Sequence, residues 1–249
     1  MKKDKKTILK KEKISTGIKE IDDMSGGGFE YNSTNLVIGD GGTGKTIFGV
    51  QFLIEGIKQG EKCLYVTFEE KKSAFFSNMN ELGFDLEKLE KEEKFFFIEY
   101  TPEKVKSMLE EGGGVIESII LVKKISRVVI DSMNSFGLLF ENEMNKRQSL
   151  LSLFNMLKKW ECTTLLTYDK DMLDNKIAPD ILELESDSVI VFYFIRRKEE
   201  RERFFEILKM RGTKHSSLLI GFTIGEGGIT IKKDSVSNDT ILIKKDSVF

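Results

Sequence analysis

Gly39-Asp40-Gly41-Gly42-Thr43-Gly44-Lys45-Thr46 decides the fold. The run reads G-x-x-x-x-G-K-[ST]. The chain enters it from the apolar stretch Asn35-Leu36-Val37-Ile38 and leaves it through the helix-patterned stretch Ile47 to Lys58. A loop of this kind can wrap a polyphosphate. Its glycines permit the tight turn and aim backbone N–H groups inward, and the helix N-terminus adds a partial positive charge. Lys45 can then reach the outer phosphates, and the Thr46 hydroxyl can ligate Mg²⁺. Gly41, Gly42, Thr43, Gly44, Lys45 and Thr46 are therefore the expected phosphate-binding residues, and a nucleoside triphosphate is the expected ligand. A glycine-rich turn that binds nothing would not need a strand before it and a helix after it.

Outward from this loop, strands and helices alternate. Asn35–Gly39, Lys62–Phe68, Phe95–Glu99, Arg127–Asp131 and Thr163–Thr167 are nearly continuous apolar runs, as strands buried on both faces should be. Helical patterns at Thr46–Lys58, Lys71–Leu82, Pro102–Val122 and Met144–Trp160 separate them. A short capped helix is expected within Ser15–Met24, ended by Gly26-Gly27-Gly28. This order predicts an α/β fold with a mostly parallel central sheet flanked by helices. After Thr167 the grammar changes. Ser188–Ile195 and Arg203–Arg211 bracket the charged turn Arg196 to Glu202, which predicts an antiparallel hairpin, with Leu218–Ile224 and Gly228–Ile231 as further short strands.

The remaining features bound the chain rather than define it. At 249 residues it can hold one large α/β domain or two small ones, and a net charge of -2 gives no global attraction to nucleic acid or to an anionic membrane. No apolar run reaches spanning length and no signal-peptide core follows the N-terminal lysines, so no membrane insertion and a cytoplasmic location are expected. Cys63 and Cys162 lack metal-ligand spacing and read as buried, reduced side chains. The expected organisation is a basic flexible arm over 1–13, with seven lysines, a catalytic domain over 14–232, and a tail or small hairpin over 233–249. Ile231-Lys232-Lys233-Asp234-Ser235-Val236 recurs as Ile243-Lys244-Lys245-Asp246-Ser247-Val248. Two copies are too few for a solenoid.

A phosphate loop needs a partner carboxylate to hold Mg²⁺, and the end of another apolar strand is the place to find it. Val128-Val129-Ile130-Asp131 supplies Asp131, so Thr46 and Asp131 are the expected metal-associated pair. Hydrolysis also needs a group to orient and activate water. Strand Leu64–Phe68 ends in Glu69-Glu70, at the rim where open α/β sheets bind ligands, and either carboxylate could serve. Both could instead begin the charged helix that follows and face solvent. Thr167, ending the next apolar strand, could sense the terminal phosphate by hydrogen bonding or could simply end its strand.

Together these residues resemble a known group. Thr16-Gly17, Ile21-Asp22 and Gly26-Gly27-Gly28, then GDGGTGKT, Phe68-Glu69-Glu70, Ile130-Asp131-Ser132 and Lys209-Met210-Arg211-Gly212-Thr213-Lys214-His215, look like the KaiC-like branch of the RecA-superfamily P-loop ATPases. RadA-type recombinases share the same core. The resemblance covers roughly residues 14 to 232, and K-x-R-G-T-x-H is its most discriminating part. It implies ATP as the nucleotide, Glu69 and Glu70 as a catalytic carboxylate pair and Asp131 as the Mg²⁺-associated aspartate. It also implies rings, usually hexamers, with ATP between neighbours. In such rings Lys209 and Arg211 would reach the γ-phosphate of an adjoining copy, supplying charge where it develops in the transition state. Without the resemblance these two cations are alternate residues on one face of an edge strand, where a solvated basic edge is the plainer reading. His215, the only histidine, is expected to make a loop-stabilising hydrogen bond.

The chain also departs from the group. One ATPase domain is expected rather than the tandem pair of the circadian-clock protein. Glu183-Leu184 stands roughly where that protein's phosphorylated Ser-Thr pair would fall, so a clock-type phosphorylation cycle is not implied. Asp40 puts a negative charge inside the phosphate loop and is expected to point outward. The leading functional expectation is an ATP-hydrolysing, ring-forming molecular switch read by an unidentified protein partner. A RadA-like recombination or repair ATPase is an alternative. It is disfavoured because Asp169, Asp171, Asp174 and Asp180 would line the loop expected to meet DNA and would repel phosphates. A nucleotide-gated, non-catalytic scaffold like the archaeal motility motor's accessory ATPase is the other.

Overall fold

A computed structural model describes residues 13–101, 104, 114–137, 140, 142–170, 181–197 and 199–232. The lysine arm up to residue 12, most of the segment 102–113, the acidic stretch 171–180 and the C-terminal repeat from residue 233 onward lie outside the described residues.

Among the described residues, nine strands form one sheet in the order β11-β10-β9-β8-β3-β7-β6-β4-β5. They are β3 (Thr34–Gly39), β4 (Lys62–Thr67), β5 (Phe95–Glu99), β6 (Ile125–Asp131), β7 (Thr163–Asp169), β8 (Ser188–Arg197), β9 (Glu200–Met210), β10 (Ile220–Gly225) and β11 (Gly228–Ile231). A separate two-stranded ribbon pairs β1 (Lys13–Ile14) with β2 (Phe29–Glu30). All pairings from β8 through β3 to β5 are parallel, and those from β8 outward to β11 are antiparallel. The expected α/β fold, with antiparallel strands added toward the C-terminus, is therefore what forms.

The continuous apolar runs follow from burial on both faces. On β3, Leu36 and Ile38 point into one core with Val66, Val128, Ile130 and Leu166. Val37, between them, points into the other with Tyr65, Val129, Leu165 and Ile190. Successive strand residues alternate sides, so every position of a central strand must be apolar or internally hydrogen-bonded. Helices close both layers. In chain order they are α1 (Lys19–Met24), α2 (Lys45–Lys58), α3 (Lys72–Glu81), α4 (Leu86–Lys91), α5 (Gly114–Lys123), α6 (Met133–Gly137), α7 (Glu143–Lys159) and α8 (Ile181–Glu185). The helix α2 lies across β6 and β4 and buries Phe48, Val50, Phe52 and Leu53.

Some elements differ from expectation. The expected 71–82 helix is followed by a second one, α4, started by Asp85, whose carboxylate accepts the Lys88 amide at 2.9 Å. The hairpin of β8 and β9 runs deeper into its charged turn, to Arg197 and from Glu200. Nor is it an appendage. β8 pairs in parallel with β3 from Asn35↔Ser188 to Gly39↔Phe192, so the hairpin extends the main sheet directly beside the glycine loop. Of the expected 102–122 helix, α5 covers the later part. The capped helix near residue 20 is tied down in reverse: Asp22 accepts from Ser15 Oγ at 2.6 Å and from the Thr16 amide at 2.8 Å. Both cysteines are buried and free, and burial pushes the Cys162 thiol up to about 12. Among the described residues no helix is long and apolar enough to cross a membrane.

Candidate nucleotide site

The glycine loop leaves β3 at Gly39 and feeds α2. Gly44, in the left-handed region at φ 105, makes this turn. A Cβ there would meet Ile224 Cδ1 at 2.8 Å, so the position takes only glycine without strain. The Thr43 side chain is fully buried, and its hydroxyl donates to the Asp40 carbonyl at 2.8 Å, bracing the loop from behind. Asp40 itself is exposed, as expected. Lys45 is 7% exposed and its ammonium sits at 2.9 Å from the carbonyls of both Gly39 and Asp40. From β9, Arg203 crosses to donate to the Gly42 carbonyl at 3.0 Å.

A cavity of about 560 Å³ opens above this loop. Gly41, Gly42, Gly44, Lys45 and Thr46 line one side, and Glu69, Glu70 and Asp131 line the other. Strand order explains the meeting. With β6 one strand beyond β7, and β4 next to β6, residues ending β4 and β6 reach the same rim as the loop after β3. Thr46 Oγ1 donates to Asp131 Oδ2 at 2.8 Å. Tyr65, from β4, donates to the same oxygen, and Thr167, from β7, donates to Oδ1 at 2.5 Å. Burial, and after it the Asp131 charge, push the Tyr65 phenol well above its ordinary value, so it stays a donor.

The two glutamates are handled differently. Glu69 Oε1 accepts the hydroxyls of Ser132 at 2.8 Å and Ser135 at 2.7 Å. The Glu70 carboxylate has no such clamp among the described residues. Burial, then the charges of Asp131 and Glu69, raise its pKa above the ordinary 4.5. The backbone amides of both glutamates donate to Thr67 Oγ1, at 3.2 and 3.1 Å, which turns the chain back toward the cavity.

Lys209 and Arg211 stand elsewhere. Met210 pairs with Ser188, which pairs with Asn35, so the end of β9 lies level with the start of β3, with β8 between them. From Asn35 to the glycine loop is four strand residues, roughly 13 Å. Lys209 Nζ donates to the carbonyls of Glu183 at 2.8 Å and Leu184 at 2.9 Å. Arg211 donates to the Leu184 carbonyl at 2.6 Å and lies 3.4 Å from Asp187. Burial, and then the Arg211 charge, lower the Lys209 pKa. Both side chains belong to the opposite end of the sheet from their own chain's cavity. His215 Nδ1 lies 3.1 Å from its neighbour's carbonyl, Ser216 O.

A family model described as the KaiC ATPase matches residues 14–236. The chain belongs to the KaiC ATPase family. Within that family it is 33% identical over 229 residues to the circadian clock protein KaiC3 of Synechocystis, covering 88% of this chain and 45% of that protein. It is 35% identical over 227 residues to the circadian clock oscillator protein KaiC of Synechococcus elongatus, covering 88% of this chain and 44% of that one. The chain thus spans about half the length of the curated KaiC relatives it matches. A KaiC-like protein from Pyrococcus horikoshii, PH0186, superposes with a TM-score of 0.80 at 33% identity, covering 90% of this chain and all of that one. The fold and the phosphate loop are accordingly those of a RecA-superfamily P-loop ATPase.

Several residues of this KaiC-family site escape a sequence reading. Asp169 ends β7 beyond the expected strand limit and places Oδ1 2.5 Å from the Lys45 ammonium. Tyr65 looks like one more core aromatic in an apolar run, and Ser132 and Ser135 look like loop polarity. Arg203 is one charge among many in a hairpin. Thr167 is fully buried and acts on Asp131 rather than lining the cavity.

Proposed function

We propose that the chain is a ring-forming, Mg²⁺-dependent ATPase whose hydrolytic site is completed by an adjoining copy, and that nucleotide occupancy switches the ring between shapes read by a protein partner. The observation that carries this reading is a division of parts. Every group that would bind and activate the triphosphate converges on one cavity, whereas Lys209 and Arg211 lie at the far end of the sheet, where only a neighbour's cavity could use them.

The roles follow from the geometry. Gly41, Gly42 and Gly44 present the loop backbone to the phosphates, and Lys45 neutralises the outer ones. Thr46 and Asp131 supply the hard oxygen donors that Mg²⁺ favours. Mg²⁺ needs only one or two protein oxygens when phosphates and water complete its shell. Among the described residues no cluster of three or more His, Cys, Asp or Glu could hold a metal alone, which suits a metal arriving with its nucleotide. When bound, the ion would neutralise charge on the outer phosphates. Glu70 takes the proton from the attacking water, its raised pKa improving it as a base, and Glu69, fixed by two serine hydroxyls, keeps that water oriented. The oxygen–phosphorus bond to the departing diphosphate breaks as the water oxygen bonds to phosphorus, with Lys209 and Arg211 of the neighbour stabilising the charge.

Mass and phosphate release of the purified chain, with and without Mg-ATP, test the proposal. A larger assembly with ATP and measurable turnover are expected. A monomer that neither assembles nor hydrolyses in saturating Mg-ATP refutes it. Assembly without turnover would instead favour the scaffold reading.

A further inference from the structure

Asp169 stands in the sheet directly beside Gly39, the residue from which the phosphate loop departs. Its backbone is clamped by one side chain. Asn134 Nδ2 donates to the Asp169 carbonyl at 2.9 Å, and the Asp169 amide donates to Asn134 Oδ1 at 2.7 Å. The clamp ties the segment after β6 to the end of β7 and aims the Asp169 carboxylate at the loop. Lys45, nearly buried, then has an anionic partner at 2.5 Å as well as two carbonyls. Asp169 is 44% exposed and lines the same cavity as the glycines.

Accepting the nucleotide reading above, we infer that Asp169 is a specificity-determining counter-ion that the outer phosphates must displace from Lys45. The three N–H donors of the ammonium are already engaged by Asp169 and two carbonyls, so an incoming phosphate must replace one of these partners, and a carboxylate left beside the phosphates repels them. The penalty falls on ligands long enough to reach Lys45. A single α-phosphate, held by the loop amides alone, leaves the ion pair in place. Asp169 therefore compresses the affinity gap between nucleoside tri- and diphosphates on one side and monophosphates on the other.

Affinities of the full chain for ATP, ADP and AMP, measured by calorimetric titration in EDTA, test this without the metal. Asp169→Asn should tighten ATP and ADP by about two- to five-fold, the range for losing a half-exposed competing ion pair, and leave AMP unchanged. Asn134→Ala, which loosens the clamp while keeping the charge, should tighten ATP by a smaller factor. The inference is overturned if the native chain binds ATP and Asp169→Asn binds it no tighter, or if AMP tightens equally, which would mark a diffuse charge effect. If the native chain binds no nucleotide at all, the reading of the site fails and takes this inference with it.

Discussion

Thr46 donates its hydroxyl to Asp131 across 2.8 Å, although 85 residues of chain separate them. One side chain comes from the first turn of α2 and the other from the end of β6, with β7 lying between their strands. The contact brings together the two groups that a nucleotide-bound Mg²⁺ would require. Tyr65 and Thr167 point further hydroxyls at the same carboxylate. Three neutral donors fix Asp131 without supplying a competing cation, so its charge remains available to the cavity.

Lys45→Ala should abolish nucleotide capture. The side chain is the cation that reaches from the loop into the cavity, and removing it should weaken ATP binding by about a hundred-fold or more. The fold should survive, because the partners it leaves are two loop carbonyls and the half-exposed Asp169. Fluorescent-nucleotide titration checks the first expectation and thermal melting the second. Retained affinity would place the phosphates elsewhere.

Glu70→Gln should keep ATP binding and lower turnover by about 10²- to 10⁴-fold, the usual worth of a general base. A raised pKa has a second consequence. The folded chain disfavours ionised Glu70, so this group's contribution is most favourable below the unfolded carboxylate value and declines as pH rises toward the folded one. Glu70→Gln should therefore melt higher than the native chain at pH 7, and the gap should close as pH falls below 4.5. If the proposed hydrolysis holds, the acidic limb of the native chain's rate profile should lie above 4.5 for the same reason. A variant that melts lower at pH 7, or turns over normally, contradicts the assignment.

Arg127 is the buried tie of the framework. Fully buried, it makes a two-pronged pair with Glu61 at 2.8 and 2.9 Å, and donates to the carbonyls of Ser15 at 2.7 Å and Phe52 at 3.0 Å. One side chain thereby joins β6, α2 and the N-terminal segment ahead of α1. Arg127→Met strands a carboxylate and two carbonyls, and should cost about 3 kcal/mol in urea unfolding. A cost below about 1 kcal/mol would mean that water replaces these bonds freely.

Much of the architecture was legible because strands buried on both faces write themselves as apolar runs, and because the Gly39–Thr46 pattern ties one such run to a following helix. The placement of Asp131, Glu69 and Glu70 at the cavity rim was legible for a related reason: each ends or directly follows an apolar run at the same end of the sheet as the glycine loop. What stayed hidden depends on strand order. Periodicity says that β7 is a strand but not that it lies between β3 and β6, and only that order brings Asp169 to Lys45 and Thr167 to Asp131. The insertion of β8 beside β3, which lets Arg203 touch the glycine loop, is likewise invisible in local pattern. The short helix α6 was missed because five residues give too little periodicity, yet it carries Asn134 and Ser135 to their partners.

Subunit mixing tests the shared site most directly. Copies carrying Arg211→Ala keep an intact cavity and lack the donated cation, and copies carrying Glu69→Gln with Glu70→Gln keep the cation and lack the base. Each alone should be inactive. Mixed in equal amounts, they should regain phosphate release at interfaces pairing an intact cavity with an intact cation, roughly a quarter of those in a randomly assembled ring. No recovery at any mixing ratio, while both variants still assemble with ATP, would contradict a site built from two copies.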